Sequence, residues 1–114
     1  PMVIVDSKID LSELRQMATS GFGDLVKAVV DLGREVMVVD AELHADEEAL
    51  LLAQGSRQED LWGINLYPDL PGDDWLEFDS MINIRPYHGN RSRGVDDADT
   101  RERIRALIER LVAR

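Results

Sequence analysis

Two β-branched runs flank Gly33-Arg34, and they constrain the fold more than any other part of the chain. The first is Leu25-Val26-Lys27-Ala28-Val29-Val30-Asp31-Leu32. A helix is its alternative, but three valines and the alternating Val26, Ala28, Val30 and Leu32 favour a strand. Gly33-Arg34 then reads as a tight turn and Glu35-Val36-Met37-Val38-Val39-Asp40 as the returning strand.

The flanking segments fit around that hairpin. Met2-Val3-Ile4-Val5 is a short β-branched run, readable as a buried strand. Asp10-Leu11-Ser12-Glu13 has capping-box spacing, Leu11, Leu14, Met17 and Ala18 recur at helical intervals, and Gly21 stops the helix. Residues 45–54 are strong helix formers closed by Gly55. Trp62-Gly63-Ile64-Asn65-Leu66-Tyr67 alternates as a strand, and residues 68–74, with two Pro, one Gly and three Asp, form a loop. Residues 75–84 read as one strand ended by Pro86. Asp97 or Asp99 caps a last helix running through Val112, with Ile104, Leu107, Ile108 and Leu111 on its apolar face. Trp62, Trp75, Tyr67 and Phe78 are expected to pack across the hairpin around the loop.

The predicted order is β-α-β-β-α-β-β-α, an α+β class. Its first six elements match a split βαβ (ferredoxin-like) antiparallel sheet with helices packed mainly on one face. The length of 114 residues suits one domain spanning residues 1–114.

Composition narrows the function. With no cysteine, a disulfide framework, a thiolate nucleophile and a cysteine-ligated metal are excluded. No apolar run approaches the roughly 20 residues that cross a bilayer. Together with an N-terminus lacking secretory features, the missing cysteines lead to the expectation of a cytoplasmic protein. A net charge of −10 argues against nucleic acid or an anionic membrane as partner. No cofactor is implied.

The charge is uneven. Residues 1–84 carry 5 basic and 18 acidic side chains, whereas residues 85–114 carry 8 basic and 5 acidic. Asn83, Arg85, His88, Asn90, Arg91, Ser92 and Arg93 form an acid-free island after a strand, and guanidinium forks with neutral donors suit a small anionic ligand. Gly89 allows close backbone approach there. The plainer reading is that these arginines pair with the chain's own carboxylates, Asp79 or Asp46, Glu47 and Glu48 being best placed.

Two further constellations suggest an enzyme. His44 and Glu48 share a helix face beside Asp46 and Glu47, which suits a divalent metal or a base with an orienting acid. No second histidine stands at metal spacing, and acids in a first helical turn also answer the helix dipole. Pro1 is the other candidate, because a secondary amine in a desolvated pocket can act as a general base. Pro1-Met2-Val3-Ile4-Val5 resembles the opening strand of the tautomerase superfamily, which implies that chemistry.

A broader resemblance rests on Gly23-Asp24-Leu25-Val26-Lys27-Ala28-Val29-Val30-Asp31, Glu42-Leu43-His44-Ala45-Asp46-Glu47-Glu48, Leu61-Trp62-Gly63-Ile64-Asn65-Leu66-Tyr67-Pro68, Ile82-Asn83-Ile84-Arg85-Pro86 and Gly89-Asn90-Arg91-Ser92-Arg93-Gly94. These segments resemble a small prokaryotic family of unknown function, and that likeness implies no activity. The leading expectation is an anion-binding domain. An enzyme and a protein-interaction module are the alternatives. Free hairpin edges predict a homo-oligomer.

Overall fold

A computed structural model describes residues 1–114. In chain order its elements are β1 (Val3–Val5), β2 (Ile9–Asp10), α1 (Leu11–Ser20), β3 (Val26–Asp31), β4 (Val36–Val39), α2 (His44–Ala53), β5 (Leu61–Leu66), β6 (Leu76–Glu77), α3 (Ala98–Leu111) and β7 (Val112–Ala113). The expected hairpin is present as β3 and β4, in antiparallel register from Ala28↔Val39 to Asp31↔Val36. Its turn spans four residues rather than two, because the Asp31 carboxylate accepts from Gly33 N at 2.9 Å and Arg34 N at 3.0 Å. No helix is long and apolar enough to cross a membrane.

Five strands form one antiparallel sheet in the order β1-β4-β3-β5-β6. This corrects the ferredoxin-like expectation. The first split unit, β1-α1-β3 around β4, is present, but β5 joins β3 instead of β1. The placement of the helices is corrected with it. Val26, Ala28, Val30 and Leu32 pack with Leu14 and Ala18 of α1 and with Ile104, Leu107, Ile108 and Leu111 of α3. Alternate residues of the same strands, Val29, Val36, Val38 and Leu61, pack with Leu51 of α2 on the opposite face. Chain topology supplies the reason. Both crossovers, β1 to β3 and β4 to β5, skip one strand in the same direction but start from antiparallel strands. Right-handed connections then leave their helices on opposite faces. The β4 run, Val36-Met37-Val38-Val39, is buried throughout, as a strand covered on both sides must be.

The helix termini follow local chemistry. After α2, Gly55 at φ 94° lets its N–H reach Leu52 O and lets Ser56 N–H reach Leu51 O, the paired bonds of a Schellman stop. Asp97 caps α3 through Thr100 N at 2.9 Å. The capping box expected for α1 does not form. Asp10 occupies the N-cap position without a side-chain bond, while its backbone pairs in parallel with β7, Asp10 against Ala113.

Leu51 is fully buried and is the apolar anchor of α2 on the second face. Leu51→Ala is expected to destabilise the protein by about 3 kcal/mol in urea unfolding. A loss below about 1 kcal/mol, a surface-like value, would show that α2 is not anchored there.

Candidate functional site

The arginine island is built against the outer edge of β5. The strand expected over residues 75–84 is cut to two residues, because β6 pairs only Glu77 and Leu76 with Asn65 and Leu66. Beyond Glu77 the chain turns inward, with Ser80 Oγ accepting from Ile82 N at 3.3 Å at the start of a 3₁₀ turn over Met81–Asn83. A Cβ on Gly63 would lie 2.4 Å from Ser80 Cβ, so only glycine lets the segment cross so closely.

Side chains replace the missing strand. Asn83 is fully buried, and its Oδ1 accepts from Gly63 N at 2.9 Å while its Nδ2 donates to Gly63 O at 3.0 Å and Arg93 O at 2.9 Å. Arg85, 3% exposed, donates from Nη2 to Leu61 O at 2.8 Å and from Nη1 to Gln58 O. Its guanidinium carbon lies 4.3 Å from the centre of the Trp62 ring. Asn90, also buried, donates from Nδ2 to Asn83 O, Ser92 O and Gly94 O and accepts on Oδ1 from Asp96 N. Three of the four aromatics expected to pack on one another across the hairpin take cations instead, and Tyr67 donates its hydroxyl to Glu77. Trp75 is stacked by Arg114 and Phe78 by Arg105, and the only ring–ring contact is Tyr87 with His88.

Of the seven ligand-binding candidates, Asn83, Arg85 and Asn90 therefore converge as a buried bracket, while His88, Arg91, Ser92 and Arg93 lie at the surface. Arg93 Nε pairs with Asp79 Oδ1 at 2.7 Å, one of the carboxylates anticipated for this role. Ser92 Oγ donates to Asp96 Oδ1 at 2.5 Å, a bond that with Arg91 N–H holds the Asp96 carboxyl below its usual range. The Arg91 guanidinium has no protein partner, and the principal cavities take no lining residue from 83–93. Asn83→Ala is expected to cost about 3 kcal/mol in urea unfolding, since it orphans both Gly63 groups. A near-neutral result would deny the bracket its structural role.

The first turn of α2 holds a second cluster. His44 is buried, and its Nε2 lies 2.7 Å from Ile64 O, so Nε2 carries the proton and donates to it. Burial, partly offset by that bond, lowers the His44 pKa. Glu47 is fully buried and accepts from Ala41 N on Oε2 at 3.1 Å, while Oε1 has no partner. Burial pushes its pKa up to about 9, against bonding from Ala41 and attraction from Lys27, so the carboxyl is neutral at pH 7. Asp46 points to solvent and Glu48 is half-buried. No three His, Asp or Glu side chains are grouped so as to hold an ion, the four metal candidates included.

Glu47 pins the segment where the cavities meet. One cavity of about 230 Å³ is lined by Phe22, Val26, Lys27, Asp40 and Glu42 among others, and a more open one of about 590 Å³ shares Pro1, Asp40, Ala41 and Glu42 with it. Asp40 has φ 74°, a left-handed conformation that Asp adopts more readily than most residues and that stores strain. Pro1 lies at the mouth, fully exposed, its nitrogen 3.9 Å from Asp40 Oδ2. The desolvation an amine base requires is not built around it.

A family model matches residues 3–111 of this chain. The chain belongs to DUF5674, a protein family of unknown function. No curated protein and no solved structure matches it. For a DUF5674 protein the site is thus read from its own geometry, and that geometry moves attention from the arginine island to Lys27, Asp40 and Glu42. Sequence reasoning passed over these three because each stands alone among apolar neighbours. The one available signal was Asp40 closing a β-branched run, where a left-handed residue is needed to leave the strand.

Glu47 yields a pH test. Its folded pKa of about 9 lies above the ordinary 4.5, so the unfolded chain releases the proton first as pH rises. Stability is therefore lost progressively between those values, at up to about 1.4 kcal/mol per pH unit. Unfolding curves at pH 5 to 8 are expected to show this decline in the wild type relative to Glu47→Gln. Parallel profiles would mean that Glu47 is ionised in the folded protein.

Proposed function

We propose that this protein binds a small zwitterionic molecule of amino-acid size in the cleft around residues 40–42. The carrying observation is one cavity of about 230 Å³ lined by Lys27, Asp40 and Glu42 together with Met17, Phe22, Leu25 and Val26. Such a lining offers a partner to each charge of a zwitterion and an apolar wall to its side chain. The floor is organised before any ligand arrives, since Asp40 is held left-handed and Ala41 N–H is tied to a neutral Glu47. Preorganisation of this kind lowers the ordering cost of binding. The enzyme alternative draws on the same place, because His44 and Glu47 have environments that hold both neutral, the usual arrangement of a base and an acid. Neither side chain lines the cavity, which favours binding over catalysis.

The anion reading retains one observation of its own, the unpartnered guanidinium of exposed Arg91, close in sequence to exposed His88 and Arg93. One thermal-shift panel of amino acids, simple amines, dicarboxylates and phosphate separates the two. The cleft reading expects stabilisation by members of the amino-acid class, at least tenfold weaker binding in Lys27→Ala and Asp40→Asn, and no change in Arg91→Ala. Asparagine is chosen at position 40 because it tolerates the left-handed backbone. Stabilisation by phosphate or citrate that vanishes in Arg91→Ala would transfer the function to the island. No shift from any compound would sink both.

A further inference from the structure

The two edges of the sheet are treated very differently. On the β5 side, β6 covers Asn65 and Leu66, Asn83 takes both Gly63 groups, and Arg85 takes Leu61 O. The outward groups of β5 from Leu61 to Asn65 are thus taken, and β6 adds only two residues beyond them. On the β1 side, Val3, Ile4 and Val5 pair inward with Val39, Val38 and Met37, and no hydrogen bond outside that ladder reaches any residue from Met2 to Lys8. Met2, Val3 and Ile4 are 41%, 38% and 39% exposed, and no charged side chain lies between Met2 and Val5. Lysines, prolines and bulges ordinarily block such an edge, and none interrupts this strand.

We infer that β1 pairs antiparallel with β1 of a second copy, joining two five-stranded sheets across a two-fold axis near Ile4. Self-pairing fits because an edge strand offers alternating donors and acceptors, which its own copy complements when reversed. The blocked β5 edge makes the contact self-limiting, since one open edge per chain closes a dimer and cannot propagate a fibre. With a net charge of −10 two copies repel each other overall, and the uncharged run from Met2 to Val5 adds nothing to that repulsion. Ile4 projects to the α2 face opposite Val38, so in the dimer the two Ile4 side chains meet across the axis.

The test is a charge swap read by light scattering. Wild type is expected at twice 12.9 kDa, with Ile4→Lys and Ile4→Glu each at 12.9 kDa. Mixing the two variants is expected to restore the dimer, since opposite charges then face each other, a rescue that damaged folding does not produce. A wild type that stays at 12.9 kDa across a wide concentration range overturns the inference, as does a dimer unmoved by either variant. If the variants do not fold, amide exchange on the wild type decides. Protection of residues 3–5 that rises with protein concentration supports the pairing, and protection independent of concentration refutes it.

Discussion

The outer edge of β5 is the constraint on which most of this structure depends. Its partner β6 stops after two residues, yet Leu61 and Gly63 remain buried and their outward main-chain groups need hydrogen bonds. Leaving each one unmade costs about 1–3 kcal/mol. Asn83 offers a carboxamide in place of a peptide group, and Arg85 offers a rigid fork. Asn90 then closes the arginine-rich segment on itself and, through Asp96 N–H, sets where the chain enters α3.

The sheet carries helices on both faces because its two crossovers run in one direction from antiparallel strands. That choice positions the cleft. The chain leaves β4 at Asp40 and must rise off the sheet to start α2, and a left-handed residue makes that bend. Glu47, one turn into the helix, reaches back to the Ala41 N–H and secures the connection. Neutrality of Glu47 is part of the same design, since an ionised carboxylate would be far costlier in that buried position. Backbone strain, a buried neutral acid and two shared cavities therefore meet at residues 40–42.

The central hairpin, all three helices and the apolar face of α3 were legible, because valine alternation, glycine stops and a 3.6-residue repeat are local signals. Residues 75–84 were misread for an equally physical cause. An alternating apolar run marks a chain that can be a strand, but Asn83 satisfies Gly63 with its side chain and leaves the backbone no ladder to join. Arg85 shows the same limit. Its charge and its acid-free neighbourhood suggested a ligand, while its partners are carbonyls, which every sequence possesses and none advertises.

Residue identity alone determined the central hairpin, the three helices, the helix ends near Gly21 and Gly55, the exclusion of thiol chemistry and membership of DUF5674. Each follows from nearest-neighbour stereochemistry or from which residue types are present. Only the tertiary structure decided that β5 joins β3, that α2 covers the second face, and that three island residues turn inward while Lys27, Asp40 and Glu42 gather at a cleft. Those outcomes depend on where main-chain groups far apart in the chain are left without partners. No periodicity records that, because it exists only once the strands have paired.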